Sequence, residues 1–377
     1  MERDVKKIHL PPVSLPYARV LVVDDVLTSL YIVKGMMKPY NMEVDCVSSG
    51  QEAVDAVREE RVRYDAIFMD HRMYEMDGIE TVRIIRKEIG TDYAKTIPII
   101  ALTANEHINE ELFLNSGFQA FLPKPVEICR LDAVLRQWVQ NEEKEKAYNA
   151  AKGSEEFSGS EKDRRSGRER RNGHDRRLFQ EKIEGINVRK GMERFSGDRD
   201  TFREILQSFA VYTMPILERM REVNKNNLAG YAINAHGIKS SCRGICADVL
   251  GDRAETLEKA AENGDIAFVI DNNKVFIDDV LELITNIETA LTCGVNTVMQ
   301  IVKLKKDKPY SEALIKLKTA CDSSCIEKID EIMNEIEYFE YTSDDKLVQW
   351  LRENINEMNY AAISEKIAEL NNGGAHE

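Results

Sequence analysis

Short apolar runs alternate with amphipathic segments over residues 18–140. Such runs are typical of strands that are covered on both faces, and the segments between them have the residue spacing of helices. The predicted strands are residues 20–23, 43–47, 65–69, 96–102 and 119–122, and the predicted helices are residues 28–37, 49–60, 78–89, 106–115 and 127–140. This alternation predicts an α/β domain whose five-stranded parallel sheet is doubly wound by right-handed crossovers.

The pattern is lost over residues 141–182, where acidic, Gly/Ser and then arginine-rich stretches follow one another. A segment of this composition buries too little apolar surface to order itself, so we expect a charged flexible linker. The alternative is a basic patch around residues 164–177 that docks an acidic surface or nucleic acid.

Helical periodicity begins near residue 183 and continues to the end of the chain. Residues 183–295 predict four or five antiparallel helices in a four-helix-bundle type of domain, with one helix capped at residue 200 or 201 and another starting at Pro215. Residues 296–377 predict a C-terminal helical module, two loosely similar hairpins without an assigned role. Residues 1–17, which contain three prolines, predict an extended lead-in. The expected fold class is therefore multidomain, α/β followed by all-α.

The composition restricts the classes of function. A net charge of −14 over 377 residues argues against a nucleic-acid binder. No apolar run approaches the ~20 residues of a membrane span, so no membrane partner is expected. The seven cysteines are scattered, as is usual for thiols in a reducing compartment, and we expect a cytoplasmic protein.

Acidic residues stand at the ends of predicted strands. Asp24 and Asp25 follow the first strand, Asp70 ends the third, Thr103 follows the fourth and Lys124 the fifth. The carboxyl ends of parallel strands meet at one edge of the sheet, so these side chains are expected to converge. Three converging carboxylates repel one another, and Mg²⁺ relieves this while accepting oxygen ligands. A lysine beside them suits a phosphoryl oxygen, which predicts phosphoryl transfer to Asp70 as the nucleophile.

Other interpretations of these residues are weaker. A single aspartate after a strand is usually a helix cap, but five polar residues at matching strand ends favour a site. A dinucleotide site is excluded because no Gly-x-Gly-x-x-Gly follows the first strand.

The motifs of residues 18–140 resemble the receiver domain of two-component response regulators. They are the Asp24-Asp25 pair, Asp70 in Asp-x-x-Met-x-x-Met-Asp-Gly, Thr103 in Ala-Leu-Thr-Ala and Lys124 in Lys-Pro. The resemblance implies that Asp70 is the phosphorylated residue. It also implies that Mg²⁺ is held by Asp24, Asp25, Asp70 and the backbone carbonyl of Arg72, and that Thr103 and Lys124 contact the phosphoryl group.

Two positions depart from that family's pattern. Phe121 stands where many relatives carry a tyrosine that changes rotamer, so the resemblance makes it the switch aromatic. Tyr74 stands where proline is usual. Both departures concern the coupling of phosphorylation to an output.

His236 is the second candidate for chemistry. Ile233 and Ser240 share its face of a predicted helix, Gly237 is adjacent and Lys239 lies nearly one turn on. Small neighbours are expected to expose the imidazole, which is a competent nucleophile when neutral, and Lys239 supplies charge for a phosphoryl group. The alternative is an ordinary solvated or core histidine.

Residues 186–290 resemble a histidine-phosphotransfer (HPt) domain. The stretch His-Gly-Ile-Lys-Ser-Ser-Cys from His236 is similar to the family's His-x-Leu-Lys-Gly-Ser-Ser, and residues 191–198 and 254–265 match its flanking motifs. The resemblance implies that His236 is a phosphoacceptor. Ser240 stands where the family usually has glycine.

These observations predict a phosphorelay protein whose partners are a sensor histidine kinase or other phosphorelay proteins. Transfer between Asp70 and His236 within the chain and transfer to separate partners both remain open. The sequence contains no Gly-rich ATP lid or asparagine segment of a kinase core, so we expect a phosphoacceptor and not a kinase. The alternatives are a detached C-terminal portion of a hybrid sensor histidine kinase, and a transcriptional response regulator acting through its linker or tail.

Overall fold

The computed structural model describes residues 12–103, 115–155, 182–292, 303–306, 309, 311–323, 325–341 and 345–373. The chain divides into two compact units, residues 1–301 and 302–377. Most of the predicted lead-in, the predicted helix up to residue 114 and residues 156–181 of the predicted linker lie outside the described residues. Within the described part of the chain, no helix has the length and apolarity to cross a bilayer.

The five predicted strands are confirmed. They are β1 (Arg19–Val23), β2 (Glu43–Val47), β3 (Ala66–Asp70), β4 (Ile99–Thr103) and β5 (Ala120–Pro123). They form one sheet in the order β2-β1-β3-β4-β5, and every neighbouring pair is parallel. The order reverses between β1 and β3, which opens a crevice beyond the carboxyl ends of these two strands.

Helices cover this sheet. They are α1 (Leu27–Met37), α2 (Gly50–Glu59), α3 (Gly78–Lys87), α4 (Asp92–Thr96) and α5 (Ile128–Trp138). Side-chain oxygens of Ser49 and Asp77 cap α2 and α3 by accepting from backbone N–H groups three residues on. The short helix α4 was not predicted, because five residues are too few to show a period.

The first third of the predicted flexible linker is a helix, α6 (Glu142–Glu155), so that prediction was wrong for these residues. Glutamate, lysine and alanine favour helix without burying a face. Lys146 pairs with Glu142 one turn earlier, and Lys144 contacts Asp65 of the α/β domain at 2.5 Å. A segment that buries little apolar surface can still be helical, because this helix depends on local propensity and ion pairs.

A mostly helical region follows, as predicted. It comprises α7 (Val188–Arg194), α8 (Arg199–Met220), α9 (Leu228–Gly244), α10 (Asp248–Glu262) and α11 (Ile266–Thr292). Helix α9 packs on α10, α10 on α11, and α8 packs on both α9 and α11. The apolar side chains between these helices form a second core.

Helix α8 corrects two expectations. It is capped by Asp198, which accepts from the backbone of Thr201, and not by residue 200 or 201. It also continues through Pro215, where the sequence predicted a new helix. Proline has no N–H, so Pro215 cannot donate to the carbonyl of Val211 one turn earlier. Val211 lies on an exposed side of the helix, where water can donate to that carbonyl.

The α/β domain and the helical region pack together through α1. This helix has little polar face, and Tyr31, Ile32 and Met36 are all buried. One side of α1 lies on the sheet and the other lies on α8 and α9. The Tyr31 ring stacks on Tyr212 with centroids 5.7 Å apart, and Lys38 pairs with Asp198 at 2.9 Å. A helix that is apolar all round is stable only when both sides are covered, which the helical region provides.

Glycines allow α1 to approach the helical region closely. A Cβ atom on Gly35 would lie 2.8 Å from a methyl carbon of Thr201 and 2.9 Å from one of Ile205. A Cβ atom on Gly244 would lie 2.2 Å from the Ile32 side chain. A larger side chain at these positions must either displace these neighbouring side chains or push α1 away from the helical region.

We expect Gly35→Leu to loosen this packing while the α/β domain stays folded, because leucine favours helix more than glycine does. Overpacking of this kind costs about 1–3 kcal/mol. Amides on the facing sides of α1 and α8 should therefore exchange roughly 5-fold to 150-fold faster. Gly230→Leu on α9 is the matched control, since a Cβ there meets nothing within 4 Å. Unchanged exchange in Gly35→Leu would show that α1 is not a tight contact.

The second unit contains two short strands among its helices. Its elements are β6 (Leu304–Lys306), α12 (Ser311–Asp322), α13 (Ile326–Glu337), β7 (Phe339–Tyr341), α14 (Asp345–Asn356) and α15 (Tyr360–Gly373). The strands pair in parallel, so the all-helical expectation was wrong here. A three-residue strand is too short to show a period of two in the sequence. The order strand–helix–helix occurs twice, in keeping with the predicted repeat.

Candidate functional site

Three aspartates meet at the crevice between β1 and β3. Asp24 and Asp25 directly follow β1, and Asp70 is the last residue of β3. One carboxylate oxygen from each lies within 4.8 Å of the other two. Asp24 is 0% exposed and Asp70 only 2% exposed, so water cannot screen their charges well. The parallel sheet therefore brings together the acids that the sequence placed at strand ends.

Lys124 supplies the positive charge that faces these acids. Its Nζ lies 2.6 Å from Asp24 Oδ2 and 3.0 Å from Asp70 Oδ2, and its side chain is nearly inaccessible. Burial alone would lower the pKa of Lys124, but the charges of Asp24 and Asp70 outweigh it and raise that pKa. The lysine is thus held protonated against the two carboxylates.

Among the described residues, Lys124 neutralises only part of the negative charge of the three aspartates. Burial, together with repulsion from Asp70 and Asp25, raises the pKa of Asp24 to about 7 against the opposing effect of Lys124. Burial and repulsion from Asp70 raise the pKa of Asp25 to about 6. Three carboxylates and one ammonium carry a net charge of −2 when ionised. This donor set fits a hard divalent cation with oxygen ligands, such as Mg²⁺.

Backbone groups hold two of the carboxylates in place. The N–H of His71 donates to Asp70 Oδ1 at 2.9 Å, and the N–H of Tyr74 donates to Asp25 Oδ2 at 2.8 Å. A proline at position 74 has no N–H and could not make the second bond. The departure at Tyr74 therefore orients an acid of the cluster, a consequence that sequence reasoning missed.

The acid cluster and His236 line the same cavity. On the side of the α/β domain it is formed by Asp24, Asp25, Val26, Ser29, Asp70, Arg72 and Lys124, and on the side of α9 by Ile233, His236, Gly237 and Ser240. Its free volume of about 10 Å³ is close to the room that one water needs. The predicted grouping of Ile233, His236 and Ser240 on one helix face is what the structure shows.

His236 is 4% exposed, so the expectation of an accessible imidazole was wrong for this arrangement. Gly237, the small residue beside His236, lets another part of the protein come close to α9, as predicted. A Cβ atom on Gly237 would lie 2.8 Å from the Val26 side chain. What approaches is the crevice of the α/β domain of the same chain, which covers the imidazole.

Glu258 of α10 orients the imidazole. Its Oε1 lies 2.6 Å from His236 Nδ1, and its Oε2 accepts from Lys239 Nζ at 2.5 Å. Burial would raise the pKa of Glu258, but the hydrogen bonds and charges of His236 and Lys239 lower it to about 2. An ionised carboxylate only accepts, so Nδ1 carries a proton, and in the neutral imidazole the lone pair is then on Nε2. Nε2 is buried without a hydrogen-bond partner among the described residues.

Arg72 connects the two sides of the cavity. Its guanidinium donates to Glu258 at 2.7 Å and also contacts Glu262, both on α10. Its side chain thus reaches the carboxylate that orients His236. Sequence reasoning assigned only the backbone carbonyl of Arg72 a role, and it gave Glu258 none although Glu258 lies in the quoted 254–265 motif.

Three other predicted site residues lie off the cavity. Lys239, expected to contact a phosphoryl group, is buried against Glu258. Thr103 ends β4 fully buried, and Phe121 is half-buried in β5 beside Ala101. None of them belongs to the described lining of the cavity. Their predicted roles at a phosphoryl group stay predictions.

Comparison with known proteins agrees with this geometry. Residues 20–136 match the family described as response regulator receiver domain. The sensor protein GacS of Pseudomonas syringae pv. syringae is 36% identical over 129 residues, covering 34% of this chain and 14% of that protein. The osmosensing histidine protein kinase SLN1 of Saccharomyces cerevisiae is 34% identical over 125 residues, covering 32% of this chain and 10% of that protein. The chain thus matches only a small part of these relatives.

Solved structures give similar matches. The receiver domain of sensor histidine kinase PA1611 from Pseudomonas aeruginosa PAO1, with a magnesium ion in its active site cleft, is 32% identical, with a TM-score of 0.29. The match covers 32% of this chain and 97% of that one. The receiver domain of the histidine kinase CKI1 from Arabidopsis thaliana, complexed with Mg²⁺ and BeF₃⁻, is 35% identical over 34% of this chain and 93% of that one, with a TM-score of 0.30.

One segment of the chain contains the matched sequence, the five-stranded parallel sheet and the three aspartates at the crevice between β1 and β3. Residues 20–136 are a response regulator receiver domain, a module of two-component signal transduction, and GacS and SLN1 each contain a similar segment.

Proposed function

We propose that the protein is a two-component phosphorelay protein in which a phosphoryl group passes between Asp70 of the receiver domain and His236 of the helical region within one chain. One observation carries the proposal: the Asp70 carboxylate and the His236 imidazole line the same small cavity. In this proposal the helical region has the role of an HPt domain. Joining both acceptors in one chain gives a high effective concentration for transfer.

Asp70 is suited to accept the phosphoryl group. Its carboxylate stands beside Lys124, which faces the oxygens of an incoming phosphoryl group with a fixed positive charge. Asp24, Asp25 and Asp70, with the backbone carbonyl of Arg72, would hold Mg²⁺, which neutralises charge on the phosphoryl oxygens when bound. An oxygen of Asp70 attacks the phosphorus, and the bond from phosphorus to the donor breaks and leaves its electron pair on the donor.

His236 is suited to take the group from Asp70. The Nε2 lone pair attacks the phosphorus, the phosphorus–oxygen bond to Asp70 breaks, and its electron pair returns to the carboxylate. The proton stays on Nδ1, so the ring gains positive charge, which the ionised Glu258 at 2.6 Å stabilises. The same contacts serve transfer in the reverse direction.

In this role the chain is a phosphoacceptor whose outside partner is a sensor histidine kinase or another phosphorelay protein. The names of the matched relatives, which are sensor histidine kinases, support this choice. The described cysteines are free thiols, which supports placing the relay in the cytoplasm. The relatives also keep open the alternative that the chain is a portion of a hybrid kinase.

The test is intrachain transfer in the full chain. Labelling with radioactive acetyl phosphate and Mg²⁺, followed by quenching in acid or alkali, separates phosphoaspartate, which alkali destroys, from phosphohistidine, which acid destroys. We expect His236→Gln to keep the alkali-labile label and to lose the alkali-stable label completely, because glutamine offers no nucleophilic nitrogen.

Two further variants sharpen this experiment. The Gly35→Leu variant should keep Asp70 labelling and lose most transfer, whereas Gly230→Leu should behave as wild type. An alkali-stable label that persists in His236→Gln would contradict the assignment of His236.

A further inference from the structure

Two polar atoms of α9 lie buried at the cavity without a hydrogen-bond partner in the part of the chain that the structure describes. They are Nε2 of His236 and Oγ of Ser240. Buried polar atoms nearly always have a partner, so each of these needs an explanation. The lone pair on Nε2 is explained by the nucleophilic role proposed for His236. The hydroxyl of Ser240 has no role in that account.

Ser240 lies beside the cavity between Asp70 and His236. It follows His236 by four residues on α9, so the two side chains lie one above the other on one face. Asp70 and Lys124 line the opposite side of the same cavity. The hydroxyl therefore borders the space through which a phosphoryl group passes between Asp70 and His236.

The other residues of α9 at the cavity cannot serve as donors to phosphoryl oxygens. Ile233 and Gly237 have no polar side-chain atom. Lys239 lies off the cavity and is bound to Glu258. In phosphoryl transfer, negative charge spreads over the three equatorial oxygens of the phosphoryl group. Lys124 meets that charge from the receiver side, and Ser240 is placed to meet it from the side of α9.

We propose that the Ser240 hydroxyl donates a hydrogen bond to an oxygen of the phosphoryl group during its transfer between Asp70 and His236. This inference rests on the proposed function. The bond from phosphorus to Asp70 breaks and the bond to Nε2 forms, while Ser240 keeps its proton. The resembling HPt motif has glycine at this position, so the donor is a feature of this chain.

The experiment measures transfer in the full chain by rapid quenching after Asp70 is labelled with acetyl phosphate. Ser240→Ala removes the hydroxyl and keeps the Cβ atom, and it should slow transfer to His236 about tenfold, as the loss of one hydrogen bond to a charged group predicts. The rate of Asp70 labelling and the unfolding midpoint should be unchanged. Ser241→Ala is the matched control, because Ser241 Oγ is also buried without a partner among the described residues but does not line the cavity.

Two results would overturn the inference. Transfer at the wild-type rate in Ser240→Ala would show that the hydroxyl does not meet the phosphoryl group. Equal slowing in Ser241→Ala would show a general effect on α9 packing. Both leave the proposed function standing if His236→Gln abolishes the alkali-stable label, whereas persistence of that label in His236→Gln refutes the proposed function itself.

Discussion

Replacing Asp70 with asparagine should reduce labelling by acetyl phosphate and Mg²⁺ to background, a loss of more than about a hundredfold. An amide of the same shape is not a nucleophile towards phosphorus, and no phosphoryl group then reaches His236. The folded state should survive, because the change removes one of three crowded carboxylates. Labelling is measured on the full chain, and folding is checked by urea denaturation.

Asp92→Asn is the control for this experiment, since the Asp92 side chain is fully exposed on α4. It should label as wild type does. Undiminished labelling in Asp70→Asn would move the phosphoacceptor to another residue and remove the chemical basis of the proposed relay.

Replacing Lys124 with methionine should cause the largest loss of stability. The change leaves Asp24 and Asp70 buried without their cation, and removing one partner of a buried ion pair costs about 3–5 kcal/mol. We expect a loss of this size in the free energy of unfolding at pH 7 in Mg²⁺-free buffer. Added Mg²⁺ should restore part of it, because an ion that binds only the folded protein stabilises it.

The pH dependence of this variant provides a second readout. The pKa of Asp24 is already raised to about 7 in the presence of Lys124, and losing the lysine raises it further. The folded variant then binds a proton that the unfolded chain releases above about pH 4, so its stability falls as pH rises from 4 through 7. Wild type shares this slope until its Asp24 ionises near pH 7, so the deficit relative to wild type should be larger at pH 8 than at pH 5.

Lys87→Met, at an exposed position of α3, is the control and should change stability by less than about 0.5 kcal/mol. A Lys124→Met variant as stable as wild type at pH 7 without Mg²⁺ would contradict the close ion pairs of Lys124 with Asp24 and Asp70.

Much of the receiver domain could be predicted because its signals are local. Each strand is a short apolar run, and each site residue stands directly after one, so a parallel sheet brings them to a common edge without further information. Elements that show no regular spacing of apolar residues cannot be predicted in this way. Helix α6 depends on local propensity, and the strands β6 and β7 have three residues each.

The helical region was predictable as helices but not in its contacts. The sequence placed Ile233, His236 and Ser240 on one face, and the structure agrees. It could not indicate that Glu258 on another helix would accept from His236, or that Arg72, 186 residues earlier, would reach the same carboxylate. Periodicity tells which residues share a face and is silent on which face meets which.

Local periods and strand ends are enough to predict the α/β architecture, the helix face that carries His236, and the convergence of Asp24, Asp25, Asp70 and Lys124. Three features instead arise from contacts between distant parts of the chain: the receiver crevice covers His236, Glu258 accepts from its Nδ1, and Ser240 borders the cavity. These contacts depend on the close approach of α1 to α8 and α9. That approach arises from apolar surface on both sides of α1 and from glycines that let the backbones meet.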